Sequence, residues 1–343
     1  MDRIPPAMKR IILTAYVAIA VICLLSCIQK GNPVIFKKGP FIGSKLPGAE
    51  PELFAPGIVT KGYQTRDIAI SPDGNEIYFG IRVSRYYTIL VTRQTEEGWS
   101  APEVVANLDN PEFMNIEPAL SYDGDKLYFL SNRPAAEGED KGNQDIWVMD
   151  RLEDGWSEPY NLGPPVNSHL PEFYPSLTSD GTIYFTRNDP GSDISYIYRS
   201  RLVDGQYSEP EKLPDNVNSG TNHYNAFVAH DESYIIVPTF GRDDSFGGTD
   251  YYIVFRTEDD RWSQPINMGS RINTADGMEY SAYVTRDGRY LFFMSRRFDE
   301  TDPENLSYEK LNQMFINPES GNSSIYWMEA GIIDSLRVTA VFE

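Results

Sequence analysis

The chain has 343 residues and carries 30 Lys and Arg against 50 Asp and Glu, a net charge of −20. So acidic a surface repels the phosphates of nucleic acid, which excludes nucleic acid as a partner. The two cysteines, Cys23 and Cys27, both lie near the N-terminus, so the remainder is expected to fold on its core alone, without disulfide or thiol site.

Read in chain order, Arg3, Lys9 and Arg10 form a basic start, followed by an apolar run from Ile11 to Leu25. That run is shorter than the roughly 20 residues a membrane span needs. It ends in Leu24-Leu25-Ser26-Cys27, which resembles the bacterial lipobox. The resemblance implies that residues 1–26 are a lipoprotein signal peptide and that cleavage leaves an acylated Cys27. The protein would then be anchored to a membrane of the cell envelope; an uncleaved anchor helix is the alternative. Cleavage removes Arg3, Lys9, Arg10 and Asp2, which moves the net charge from −20 to −22. Residues 27–50 read as a flexible tether dotted with Gly and Pro. The tether lacks the acidic cluster that resembles a surface-export signal, so an outer-membrane position facing the periplasm is expected.

Residues 51–343 read as one all-β domain. A short apolar strand, a turn with Asp and a second, aromatic-rich strand recur five times. The turns are Asp73-Gly74, Asp123-Gly124, Asp180-Gly181, Asp231-Glu232 and Asp287-Gly288, with spacings of 50, 57, 51 and 56 residues. Asp-Gly between apolar runs marks a hairpin, because glycine accepts the positive φ that the turn needs. Third strands are expected at Tyr87–Val91, Ile146–Met149, Tyr196–Tyr198, Tyr251–Phe255 and Ile325–Met328. Fourth strands open at Trp99-Ser100-Ala101-Pro102, Trp156-Ser157-Glu158-Pro159, Tyr207-Ser208-Glu209-Pro210 and Trp262-Ser263-Gln264-Pro265. The prolines suit an edge strand. Four antiparallel strands per repeat of about 50 residues predict a five-bladed β-propeller.

The Ser-Pro-Asp-Gly hairpin (71–74), Ser131-Asn132-Arg133 with Asp145-Ile146-Trp147, and Gly155-Trp156-Ser157-Glu158-Pro159 resemble the WD-like repeat of TolB-type propellers. The resemblance implies a binding scaffold and names no ligand. The fifth repeat has no fourth strand of its own. The N-terminal segment Glu52–Thr60 is expected to supply it and close the ring, with Arg337–Phe342 as the rival.

The long loops, Asn132–Gln144, Phe240–Gly248 and Arg297–Ser323, and the links Gly163–Phe173 and Met268–Met278 fall on one face, the expected binding face. Leu306–Phe315 is expected to be a short helix capping that face. The first strands begin there, and alternation directs every second residue toward the channel. Six residues before each turn aspartate stand Asp67, Glu117, Tyr174, Asn225 and Ser281; eight before stand Thr65, Asn115, Glu172, His223 and Glu279. The ligand-binding candidates are Asp67, Asn115, Glu117, Glu172, Tyr174, His223, Asn225 and Glu279, for an envelope protein or polysaccharide. In the alternative reading, Asp67, Glu117 and Glu172 serve a five-bladed glycosidase, whose chemistry needs paired carboxyl groups. No cofactor is called for, although the carboxylates also suit calcium, which takes oxygen ligands. Arg82, Arg133, Arg187, Arg242 and Arg296 close the second strands, and Asp145, Asp193 and Asp250 open the third. Intrablade ion pairs are the simplest expectation for them.

Overall fold

The computed structural model describes residues 37–135, 142–192, 194–275, 277–298 and 305–342. The lipobox, Cys27 and Asp193 lie outside the described residues.

The architecture is all-β, with five antiparallel sheets arranged as the blades of a propeller. The first blade runs Gln64–Ile70, Glu76–Val83, Tyr86–Arg93 and Glu103–Val104. The second runs Asn115–Leu120, Lys126–Ser131, Asp145–Leu152 and Tyr160–Asn161, and the third Glu172–Leu177, Ile183–Asn188, Ser195–Ser200 and Glu211–Lys212. In the fourth, the first strand is split into Asn222–His223 and Phe227–Val228, followed by Tyr234–Phe240, Thr249–Phe255 and Ile266–Asn267. The fifth holds Tyr280–Val284, Tyr290–Phe298 and Ser320–Glu329, and its outer strand is Glu52–Leu53 from the other end of the chain.

The N-terminal strand therefore closes the ring. Phe54, fully buried, follows it and meets Phe292 and Trp327 edge-on at 5.0 and 5.2 Å. The rival segment does not take that place. Gly331–Arg337 is a helix, and Phe342 bridges to Ser263 of the fourth blade. The part of the expected tether that is described does not hang free either. Ile42 is buried, Phe41 packs on Tyr290 and Trp327, and the Trp99 indole donates to Gly39 O at 2.8 Å.

The hairpin turns form as their sequences demand. Gly74, Gly124, Gly181 and Gly288 take φ of 74°, 83°, 86° and 69°. In the fourth repeat Glu232 takes the same left-handed conformation, φ 58°. Its carboxylate accepts from the Tyr184 hydroxyl at 2.6 Å and from Arg256 at 3.1 Å, contacts that a glycine would forfeit. The apolar core is divided into clusters between neighbouring blades, in which Trp99, Trp156 and Trp262 are buried. These tryptophans pack; they are not an exposed platform. No helix of the described residues is long and apolar enough to cross a membrane.

The helix in the long fifth-blade loop is Tyr308–Ile316, capped by the Ser307 side chain. It lies beside Gly62, where a Cβ would meet Ile316 Cα at 2.7 Å, and none of its residues lines the channel mouth. The expected intrablade ion pairs are not formed by the described aspartates. Asp145 and Asp250 accept from Asn161 and Asn267, while Arg133 and Arg187 reach back to the link carbonyls of Asn107 and Val166.

Candidate functional site

The innermost strands do not keep perfect alternation. Their pairing slips by a bulge between Thr65 and Ile68, Ile116 and Ala119, Phe173 and Ser176, and Tyr280 and Tyr283. At the slipped position four of the five blades hold a residue other than glycine in the left-handed region: Glu117 at φ 62°, Tyr174 at 52°, Asn225 at 51° and Ser281 at 65°. Each costs on the order of 1 kcal/mol in backbone energy. What the bulge provides is a backbone N–H that no ladder uses, turned toward the neighbouring blade.

Those N–H groups and side chains join the blades around the axis. Glu117 N–H donates to Asp67 Oδ2 at 3.2 Å, Tyr174 N–H to Glu117 Oε2 at 2.8 Å, and Asn225 N–H to Thr186 Oγ1 at 3.1 Å. The Asn225 amide donates to Glu117 Oε1 at 3.2 Å and to Ser281 Oγ at 3.0 Å, and Ser281 Oγ donates to Asp67 Oδ1 at 2.6 Å. Tyr174 spans the channel to Ala282 O at 3.0 Å. Arg66 bridges the two carboxylates, Nε to Asp67 at 3.0 Å and Nη2 to Glu117 at 2.7 Å. All five positions counted six residues before the turns thus meet in one buried layer.

This layer is the floor of a mouth on the long-loop face. Above it opens a cavity of about 320 Å³ lined by Arg66, Tyr87, Met114, Phe173, Tyr224, Met278 and Tyr280, among others. Arg66 stacks over the Tyr280 ring, 4.9 Å from its centroid, and its side chain keeps 15% of its surface exposed. Burial raises the Glu117 carboxyl to about 7, against the pull of Arg66.

The positions counted eight before the turns behave differently. None of Thr65, Asn115, Glu172, His223 and Glu279 lines the mouth cavity. Each is fully buried and turned toward the link that precedes its own strand. Thr65 donates to Val59 O, and Asn115 to Leu108 O while accepting from Ser131. Glu172 accepts from the Ser168 hydroxyl and N–H and from Arg187 Nε at 2.7 Å. His223 Nε2 accepts from Gly220 N–H at 2.7 Å, so Nδ1 donates to Ser195 O at 3.1 Å. Burial lowers the His223 pKa to about 4, which keeps the ring neutral. Glu279 accepts from Thr274 and Ser295. The expectation that these side chains share the channel with Asp67 and Glu117 is corrected: the bulge falls between the two sets and breaks the alternation that would have aligned them.

Sequence reasoning missed Arg66 as the inward cation and Tyr280 as its stacking partner. It also missed a recurring link asparagine, in Val166-Asn167-Ser168, Val217-Asn218-Ser219 and Ile272-Asn273-Thr274. Asn167, Asn218 and Asn273 each clasp both backbone groups of one third-strand residue, Ile146, Ile197 and Tyr251 respectively. The repeated [VI]-N-[ST] triplet was the available signal. Gly80 was a further one. A Cβ there would lie 2.6 Å from Asp67 Oδ2, so this strand glycine makes room for the network.

No protein-family model matches the chain, and no curated protein does. Among solved structures the chain is similar to TolB propellers. TolB from Acinetobacter baumannii is 13% identical, covering 78% of this chain and 57% of that one, with a TM-score of 0.45. The chain thus spans little more than half of that protein. A putative TolB from Agrobacterium tumefaciens is 15% identical, covering 78% and 90%, with a TM-score of 0.46. XC5397 from Xanthomonas campestris, described as a gluconolactonase, is 14% identical, covering 83% and 87%, with a TM-score of 0.45.

Proposed function

We propose that the chain is a lipid-anchored binding module of the bacterial envelope, held at Cys27, which takes a segment of another envelope protein in its channel mouth. The observation that carries this reading is the mouth itself. A cavity of about 320 Å³ has aromatic and methionine walls over a rigid polar floor from which Arg66 emerges. Aromatic rings supply contact area at low entropic cost, methionines adapt to varied side chains, and a partly free guanidinium orients a carboxylate or carbonyl. The glycosidase reading finds less support. A paired acid and base need carboxyl groups facing a common substrate. Glu172 is committed to Ser168 and Arg187, and Asp67 and Glu117 are committed to Arg66 and to each other's blades.

The test uses purified Cys27→Ser protein, screened against envelope proteins and a polysaccharide panel. Tyr280→Ala and Tyr87→Ala should weaken binding of the captured protein at least tenfold. Val203→Ala, exposed on the hairpin Leu202–Tyr207, should not. Capture of a glycan alone, or rim variants that bind as the unaltered protein does, would overturn the reading. The anchor is tested separately. Cys27→Ala should leave an unprocessed precursor or a non-acylated product, and detergent partitioning equal to that of the unaltered protein together with the same mass shift on processing would refute it.

A further inference from the structure

Among the helices of the described residues, Tyr308–Ile316 alone has no buried side chain. It carries Tyr308, Leu311, Met314, Phe315 and Ile316, all exposed, Tyr308 to 82% and Phe315 to 77%. Tyr308, Leu311 and Phe315 stand three and four residues apart and so share one side of the helix. At the foot of the same loop the Phe298 ring lies over the backbone of Gly321 and is still 58% exposed. Single apolar side chains are ordinary on a surface, but aromatic and aliphatic groups gathered on one short helix mark a surface that something covers.

The rest of this edge points to lipid. The segment leading from Cys27 meets the propeller at Lys37, whose carbonyl accepts from Trp99 N–H at 3.0 Å, and Phe41 then packs on Tyr290 and Trp327. It joins the fold at the seam of the fifth and first blades, where Gly62 also seats the helix. The segment lies at the tight-turn end of the seam and the helix at the long-loop end, with Ser320–Glu329 running between them for about 30 Å. Lys37 is the tenth residue after Cys27, a length of chain that spans at most about 35 Å. A lipid on Cys27 therefore keeps this edge beside the bilayer with the helix in reach. Five of the seven lysines among the described residues lie on the same edge, Lys37, Lys38, Lys45, Lys61 and Lys310, all exposed; only Lys126 and Lys212 lie elsewhere. Lysine stems accompany apolar surface while their ammonium groups stay in water. The tight-turn face is unsuited to lipid, because Asp73, Asp123, Asp180, Asp231 and Asp287 are exposed there. The stretch before the helix, Asp299-Glu300-Thr301-Asp302-Pro303-Glu304, is acidic as well, so apolar side chains and not lipid charge drive the contact.

We infer that the helix Tyr308–Ile316 rests in the interfacial layer of the membrane that holds Cys27, with Tyr308, Leu311 and Phe315 among the acyl chains and Lys61 and Lys310 at the headgroups. Aromatic rings and a one-sided apolar stripe suit that layer. The inference rests on the lipid anchor of the proposed function and adds a second membrane contact made by the fold itself. The mouth, to whose lining the helix contributes nothing, stays open to its partner.

The test uses the acylated protein reconstituted into phosphatidylcholine vesicles. Cys23 leaves with the signal peptide and the Cys27 thiol is acylated, so Phe315→Cys supplies one free thiol for an environment-sensitive fluorophore. Its emission should shift to the blue on reconstitution and be quenched by lipids brominated on their acyl chains. The same label at Val203→Cys, on the hairpin Leu202–Tyr207 of the third blade, should show neither change. Adding Tyr308→Ser and Leu311→Ser to Phe315→Cys should abolish both signals and leave Tm unchanged, since both side chains are exposed. A chain that floats with the vesicles while the label at residue 315 stays unquenched overturns the inference and leaves the anchor standing. A chain that does not float overturns the anchor, and this inference with it. A blue shift without quenching that grows with the ratio of protein to lipid assigns the helix to a second copy of the chain and likewise overturns the membrane contact.

Discussion

Ser281 Oγ donates to Asp67 Oδ1 at 2.6 Å, joining innermost strands 214 residues apart in sequence. This bond closes the axis of the propeller just as Glu52–Leu53 closes its rim. Asp67 also accepts from Arg66 and from Glu117 N–H, so one carboxylate ties the first, second and fifth blades together. Asp67→Asn should cost about 1 to 3 kcal/mol, because Arg66 loses one of its two carboxylate partners while Glu117 remains at 2.7 Å. Ser281→Ala should cost about 1 kcal/mol. The two losses should be non-additive in a double-mutant cycle read by chemical denaturation. Strict additivity would show that the contact carries no coupling.

The left-handed backbone at Ser281 gives a second expectation. Ser281→Gly loses the same hydroxyl as Ser281→Ala but relieves the strain at φ 65°. It should be about 1 kcal/mol more stable than the alanine variant, although glycine ordinarily destabilises a strand. The reverse order of unfolding midpoints would mean that the bulge is not strained.

Gly80→Ala places a methyl group against a carboxylate held from three sides. Because Asp67 has no free direction in which to move, the cost should reach about 1 to 3 kcal/mol. An exposed control, Gly331→Ala, meets nothing and begins a helix, so it should be neutral or stabilising. Equal midpoints for Gly80→Ala and the unaltered protein would refute the seating of Asp67 described above.

Glu117 should imprint a pH dependence. Burial raises its carboxyl from 4.5 to about 7 in the fold. An acid so shifted stabilises the folded state below its unfolded value, and that contribution is lost as pH rises through the folded one. Between about pH 4.5 and 7 the unaltered protein should therefore lose stability relative to Glu117→Gln, whose amide never ionises. The check is the difference in Tm between the two proteins across pH 4 to 8. A difference that does not change with pH would remove the assignment.

Closure of the ring can be tested at the rim. Deleting residues 51–60 removes the outer strand of the fifth blade together with Phe54, and should destabilise the whole propeller rather than one edge. Phe54→Ala isolates the packing part and should cost about 3 to 5 kcal/mol. Amide exchange would show protection lost in all blades, whereas loss confined to Ser320–Glu329 would mean that the blades unfold separately.

The sequence by itself determined the repeat, the hairpins and the number of blades, because these rest on local chemistry. An Asp-Gly turn between apolar runs needs only its neighbours to form, and even the Glu232 exception kept the pattern of its repeat. The orphan strand at Glu52 was legible for a related reason: five hairpins leave one outer position empty, and a ring must fill it. What only the tertiary structure decided is which polar residues meet. Strand alternation predicts two matching rings, yet a bulge one residue long turns Asp67 and Glu117 into the channel and Glu172 and Glu279 into the links. Bulges carry little sequence signature when the left-handed residue is Glu, Tyr, Asn or Ser rather than Gly. The partner of Arg66 is likewise a matter of assembly, since Glu117 is 51 residues away and comes within 2.7 Å only when two blades are packed side by side.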